Sequence, residues 1–307
     1  MRGSPSERSP AQLLSFGVVN LDKPPGPSSH EVTKWVREFT SEALTDAGAE
    51  PIDRAAHAGT LDPKVTGSLP TMLGAATRLA RLFDTSQKEY VAVLELHGPA
   101  PANFEQVVGE FEGRLYQRPP RKSAVRRRRR VREVYDLTVL ERENRRALIR
   151  IRCEAGTYVR KLCHDIGLAL GTGAHMGDLR RTATGQFDDT TLVSMETFVD
   201  ALAFWREDDN PDPLYEIVSP AEILLCDLPR VTIAPTAARE VAEGAPVYAP
   251  GVIDVRPAET AETDTVSTNG QLVACYTPDG AAICLGTLVG DPAANSGTVV
   301  ALERVLV

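Results

Sequence analysis

The apolar pattern of this chain changes character near residue 225, and no single element type can carry both sides of that change. Beyond it, short apolar runs at 231–233, 247–248, 272–276, 283–289 and 299–305 alternate with Gly, Pro, Asn and Asp turns. That texture predicts a compact, mostly β unit, with a helix over 236–243 near its entrance. Before the change, helical and strand-like periods are mixed. At 307 residues the chain also exceeds what one hydrophobic core usually supports. Two domains are therefore expected, over residues 16–225 and 226–307. Residues 1–15, rich in Ser, Pro and Arg without the apolar core of a signal peptide, read as a loose N-terminal tail.

In the larger unit, residues 16–21 read as a strand stopped by Lys23-Pro24-Pro25-Gly26-Pro27. Ser28 and Glu31 have the spacing of a capping box, and Val32, Trp35, Val36 and Phe39 then mark one apolar helical face. Leu69, Leu73, Ala76, Leu79, Ala80 and Phe83 repeat helically, with Pro70 near the expected helix start. Residues 88–97 and 131–141 read as strands, and 104–111 as a helix. Ala147, Ile149, Ile151 and Cys153 alternate with Leu148, Arg150, Arg152 and Glu154, a half-buried strand with a basic outer face. Gly156 ends it, and Tyr158, Leu162 and Ile166 continue on a helix that Gly171 can close. Another helix is expected over 191–205, followed by an acidic loop over 207–213. The fold class is α+β.

Charge is distributed unevenly. The net charge is −8, yet residues 118–132 hold nine basic residues and no acidic one, whereas residues 221–307 hold eleven acidic residues against four Arg and no Lys. Six Lys stand against twenty-eight Arg over the whole chain, a balance that suits a cytoplasm at high salt; full stability without salt would rule that reading out. No apolar run approaches the ~18 residues of a membrane span, so a cytoplasmic protein is expected. The five cysteines are scattered, with no C-x-x-C pair and no His at zinc-ligand spacing, and read as reduced core thiols. No metal site is expected.

His57-Ala58-Gly59-Thr60-Leu61-Asp62-Pro63-Lys64-Val65-Thr66-Gly67 places one carboxylate in a rigid turn with an imidazole five residues upstream. From spacing alone, Asp62 is a turn residue or a helix cap. Comparison with known motifs reverses that reading. The run resembles the catalytic motif of the TruB-type family of RNA pseudouridine synthases. Lys23-Pro24-Pro25-Gly26-Pro27-Ser28-Ser29-His30-Glu31-Val32 resembles that family's K-P-x-G-x-[TS]-S-H-x-V motif, and Lys88-Glu89-Tyr90 its K-x-Y element. Gly156-Thr157-Tyr158-Val159-Arg160 with Asp165-Ile166-Gly167, and the run from Ala174 to Arg181, resemble two further elements. They arrive in family order across roughly residues 16–195. Arg118-Pro119-Pro120-Arg121-Lys122-Ser123-Ala124-Val125-Arg126-Arg127 resembles a run of the archaeal and eukaryotic, dyskerin-like branch, the catalytic subunit of H/ACA ribonucleoproteins. The β-rich end resembles a PUA domain, a small RNA-binding module, with an acidic insert between residues 250 and 269.

The resemblance implies a catalytic domain with a mixed, largely antiparallel central sheet and flanking helices. It implies isomerisation of uridine to pseudouridine without a cofactor: the N–C1′ bond breaks, the uracil turns, and the base is rejoined through C5. Asp62 would be the nucleophile; the residues leave open attack at C6, attack at C1′ or abstraction of a ribose proton. Arg160 would hold the carboxylate ionised and aimed. Tyr90 would stack on the flipped uracil or relay a proton, Leu179 would pack against the base, and Tyr158 and His57 would contact substrate. Without the resemblance these are an exposed helix Arg, a core Tyr, a core Leu and a structural His. Arg121, Lys122, Arg126 and Arg127 would neutralise RNA phosphates, in a basic hairpin or loop beside the cleft. Implied partners are rRNA or tRNA substrate, an H/ACA guide RNA, small subunits of the Nop and Gar families and a kink-turn-binding protein. A stand-alone synthase for the tRNA T-loop and a non-catalytic RNA-binding scaffold are the alternatives.

Overall fold

Ser28 opens the longest helix among the described residues in the way its spacing predicts. Its side chain accepts from the Glu31 amide while the Glu31 carboxylate accepts from Ser28, so two otherwise orphaned donors are satisfied. The computed structural model that shows this describes residues 2–119, 126, 128–258 and 270–307. Its first part carries strands β1 (Gly17–Lys23), β2 (Ala55–His57), β3 (Thr66–Leu73), β4 (Lys88–Leu96), β5 (Gly113–Gln117), β6 (Arg130–Arg142), β7 (Arg146–Cys153), β8 (Ala174–Thr184) and β9 (Ser219–Pro220). The helices are α1 (Pro10–Ser15), α2 (Ser29–Asp46), α3 (Phe104–Gly109), α4 (Val159–Ala169), α5 (Met195–Asp208), α6 (Asp212–Ile217) and α7 (Pro235–Ala242). Strands β10 (Arg230–Ile233), β11 (Val247–Tyr248), β12 (Val252–Arg256), β13 (Leu272–Tyr276), β14 (Ala282–Leu288) and β15 (Thr298–Val305) form the β-rich end.

The first nine strands make one sheet in the order β5-β6-β7-β4-β8-β3-β1-β9, with β2 also on β3; only β3 and β8 run parallel. The last six make a second sheet, β11-β15-β14-β13-β10-β12, where β10 and β13 are parallel. Two half-cores cover the first sheet. One packs α2 and α5 on β1 and β3 through Val32, Val36, Leu21 and Phe198; the other packs α3 and α4 on β4 and β7 through Phe104, Ile166, Ile149 and Ile151. A third apolar cluster joins the sheets, with Phe16, Met72 and Leu79 against Tyr276, Leu285 and Leu306.

Several elements differ from the expectation. The helix expected from Leu69 is a strand as far as Leu73, and only Gly74–Asp84 coils, as a 3-10 helix. Pro70 survives inside this strand because its carbonyl accepts from Ala58, so its missing N–H faces the gap where β8 has stopped pairing and β2 begins. On α2, Val32 and Val36 are buried but Trp35 and Phe39 are 40% and 38% exposed; the buried stripe continues instead through Thr40, Ala43 and Leu44. The N-terminal segment is not loose. Ser9 caps α1, Leu13 and Leu14 enter the core, and buried Arg8 forms a two-pronged ion pair with Glu222 at 2.5 and 2.8 Å. Among the described residues no helix is long and apolar enough to cross a membrane.

Candidate active site

The loop that carries Asp62 is fastened by its backbone and left open at its side chain. Lys23, fully buried at the end of β1, donates to the carbonyls of Pro24, Pro63 and Val65 at 2.8–2.9 Å. Burial lowers its pKa, and those three dipoles solvate the ammonium in place of water. Buried Ser29 accepts from the Leu61 amide at 2.8 Å and donates to the Leu61 carbonyl at 3.1 Å. The Gly26 amide donates to Pro63, and Leu61 and Val65 sink into the first half-core on either side of Asp62. Gly67 lets β3 close on β8: a Cβ there would stand 2.2 Å from the Arg181 carbonyl.

Asp62 itself points outward, 55% exposed, and meets the guanidinium of Arg160 by a direct hydrogen bond between Oδ2 and Nη2. Arg160 lies in the first turn of α4. That turn is aimed by Gln117 at the end of β5, which accepts from the Tyr158 amide at 2.8 Å and donates to the Tyr158 carbonyl at 3.3 Å. An ion pair this open adds little stability, about 0–1 kcal/mol. What it supplies is direction, since the carboxylate cannot turn without losing the guanidinium.

Tyr90 lies on β4 and Leu179 on β8. Both are partly buried and both touch the two half-cores, so they form the floor where those cores meet. Tyr90 stands opposite Ile151 and Arg181, and Leu179 opposite Ala92. Burial raises the Tyr90 pKa, and Arg181 opposes that shift. His57 ends β2; its Nδ1 is buried without a hydrogen-bond partner, and burial, then Arg181 and His30, lower its pKa. Both effects favour the neutral form of the imidazole.

Asp62, Arg160, Tyr90, Leu179, Tyr158 and His57 thus come from four segments of the sequence. Of the basic residues expected to meet RNA, Arg121, Lys122 and Arg127 lie outside the described residues, and Arg126 is exposed. The strands that flank the basic run, β5 and β6, pair antiparallel, with Gln117, the residue that aims α4, opposite Arg130. Sequence reasoning assigns no role to Lys23, Ser29, Lys88 or Arg181. All four stand in quoted motifs, but nothing in residue type marks a Lys or a Ser as a fastener of a loop some thirty to forty residues away.

Three family profiles match. TruB family pseudouridylate synthase (N terminal domain) covers residues 49–103, tRNA pseudouridylate synthase B C-terminal domain covers 160–226, and the DKCLD (NUC011) domain covers 3–33. A "Probable tRNA pseudouridine synthase B" of Haloarcula marismortui is 60% identical over all of this chain and 94% of its own length. One of Halobacterium salinarum is 57% identical over all of this chain and 99% of its own. Among solved structures, the "Crystal Structure of a Cbf5-Nop10-Gar1 Complex" aligns with TM-score 0.84 and 40% identity, over 100% of this chain and 89% of that one. "Structure of H/ACA RNP bound to a substrate RNA containing 2'-deoxyuridine" aligns with TM-score 0.84 and 38% identity, over 99% and 90%. With identity of this order along its whole length, the chain belongs to the TruB family of pseudouridine synthases, enzymes that isomerise uridine in RNA.

Proposed function

We propose that this enzyme acts on rRNA as the catalytic subunit of a guide-directed H/ACA ribonucleoprotein, and that it also modifies the tRNA T-loop without a guide. The observation that carries the catalytic part is the direct Asp62–Arg160 pair; Tyr90 and Leu179 pack against both half-cores, one holding Leu61 next to Asp62 and the other Val159 next to Arg160. Asp62 is the nucleophile, ionised and aimed by Arg160. Tyr90 stacks on the extruded uracil and hydrogen-bonds to it, Leu179 packs against the base, and Tyr158 and His57 line its path. Extrusion of a uridine costs a few kcal/mol, which these contacts offset. Arg121, Lys122, Arg126 and Arg127 bind phosphates without reading sequence. Residues 226–307 act as a PUA-like RNA-binding domain.

The particle is supported by solved relatives described in complexes with Nop10, with Gar1 and with substrate RNA. Small subunits of those two families, a guide RNA and a kink-turn-binding protein are the proposed partners. A second reading, a stand-alone tRNA enzyme, draws on the relatives named tRNA pseudouridine synthase B. One experiment separates them. The full chain is incubated with a tRNA transcript alone, and with an rRNA fragment plus guide RNA and the small subunits, and pseudouridine is mapped. Modification of both, each abolished in Asp62→Asn, is expected. Modification of tRNA only would favour the stand-alone enzyme; activity unchanged in Asp62→Asn would overturn the assigned chemistry, and inactivity under both conditions would favour an RNA-binding scaffold.

A further inference from the structure

Arg181 heads the fully buried side chains of the described residues by volume, at 1% exposure. An arginine cannot shed its charge, so a buried one needs partners for its donors. Here the partners are not acids: among the described residues no carboxylate pairs with Arg181. Its Nε donates to the Ser68 carbonyl at 2.7 Å and its Nη2 to the Gly59 carbonyl at 3.1 Å. Tyr90 stands directly opposite Arg181 across the β4–β8 ladder, which puts its hydroxyl among the groups the guanidinium can contact.

The chemistry of this contact is one-sided. A guanidinium has five donors and no acceptor, whereas a phenol has one donor and can also accept. Against Arg181, the Tyr90 oxygen can only accept. We propose that Arg181 is a positioning residue for the isomerisation: anchored to Ser68 and Gly59, it fills an acceptor site of the Tyr90 hydroxyl and leaves that hydroxyl's single proton to point into the cleft. Tyr90 is thereby fixed as a hydrogen-bond donor toward the uracil, whose carbonyl oxygens are acceptors. Because Gly59 stands three residues before Asp62, the same guanidinium also keeps the floor in register with the loop above it.

This rests on the reading of Tyr90 as a residue that contacts the base, and the test separates the two. Single-turnover rate and RNA affinity are measured for Arg181→Lys, Tyr90→Phe and the double variant, in the assembly in which the wild-type chain is active. Thermal unfolding checks that each variant is folded. Lysine keeps the charge but loses the planar fork. Arg181→Lys is expected to lower the rate by about 100-fold, the size of effect that a small misplacement of a reacting group produces. RNA affinity is expected to stay within about threefold, since the interaction removed serves the transition state. In the Tyr90→Phe background the same change is expected to cost less than about fivefold, because the oxygen it orients is gone. Equal losses in both backgrounds, or a loss confined to RNA affinity, would overturn the proposal alone. A Tyr90→Phe enzyme as fast as wild type would remove Tyr90 from the chemistry, and the proposal with it. Should Arg181→Lys not fold, Arg181→Met, which removes the buried charge along with its donors, takes its place in the same cycle.

Discussion

The two cations that fasten the backbone around Asp62, Lys23 and Arg181, are buried and bonded to carbonyl oxygens, whereas along β6 and β7 cations lie near the surface opposite carboxylates. Lys23 and Arg181 hold five carbonyls between them. Arg132, Arg142 and Arg150 there face Glu154, Glu105 and Asp136 at 3.0–3.9 Å. A buried cation cannot reach water, so its hydrogen bonds must all be made by the protein, and they dictate where the backbone lies. An exposed cation exchanges protein partners for water at little cost. Apart from Arg160, which aims a carboxylate, such a cation organises little of the fold and stays able to meet a phosphate.

Five measurements probe the contrast between these two classes of cation. The largest effect is expected at the carboxylate that the buried cations place. Asp62→Asn should lower the single-turnover rate by at least about 10⁴-fold, the order that loss of a catalytic carboxylate costs in other enzymes, with RNA affinity unchanged. A loss of affinity instead would make Asp62 a binding residue.

Next comes the fastener itself. Lys23→Met takes a donor from three carbonyls, of which Pro63 keeps the Gly26 amide, and should cost about 2–3 kcal/mol in urea unfolding, with a fall in rate as the loop relaxes. A stable, fully active variant would show that Ser29 and Gly26 hold the loop alone.

Lys88, buried two residues before Tyr90 on β4 with its ammonium on Ser86 at 2.8 Å, provides a pH signature. Burial, then the neighbouring Arg181 charge, push its pKa down to about 7. Below pH 7 Lys88 is protonated folded and unfolded, and the full penalty of burying the charge is present. Between pH 7 and the ordinary lysine value near 10.5, the unfolded chain holds a proton that the folded chain does not, so this group's contribution to stability rises with pH. Wild type minus Lys88→Met should therefore slope upward over pH 7–10 by up to about 1.4 kcal/mol per pH unit. A flat difference would mean that Lys88 titrates as an ordinary surface lysine.

The smallest effects belong to the exposed side. Arg142→Ala should change stability by less than about 0.5 kcal/mol despite its 3.1 Å approach to Glu105. Replacing Arg126, Arg128 and Arg129 together by Ala should leave the urea midpoint in place and reduce the salt slope of RNA binding by about one for each phosphate that is no longer neutralised. An unfolding shift above about 1 kcal/mol would place these arginines with the buried class.

Much of the framework is legible locally. The Ser28–Glu31 box starts a helix because both of its hydrogen bonds close within one turn, and the alternation from Ala147 to Cys153 marks β7 because side chains switch faces at every residue. The N-terminal segment reads as a tail in the sequence because the partner of Arg8, Glu222, lies 214 residues away. The strand β3 reads as a helix because Leu69, Leu73, Ala76 and Leu79 satisfy a helical period equally well. All of β3 but Thr66 is buried, and only its place between β1 and its neighbours on the other side makes it extended. At the site, Asp62, Tyr90 and Arg160 are legible through motif resemblance; their residue types alone favour structural roles.

The places where the chain turns, the change to β texture near residue 225 and the single carboxylate in a Gly- and Pro-rich loop are all written in the amino-acid order. Those are properties of neighbouring residues, set by backbone freedom and side-chain period. Which charges are buried is settled by the packed fold alone. Arg180 and Arg181 are identical neighbours on β8, yet Arg180 lies half-exposed in a bidentate pair with Asp22 at 2.9 Å, while Arg181 is sealed beneath Tyr90. Successive side chains of a strand face opposite ways, so the register of β8 against β3 and β4 chooses between them, and a slip of one residue would exchange their roles.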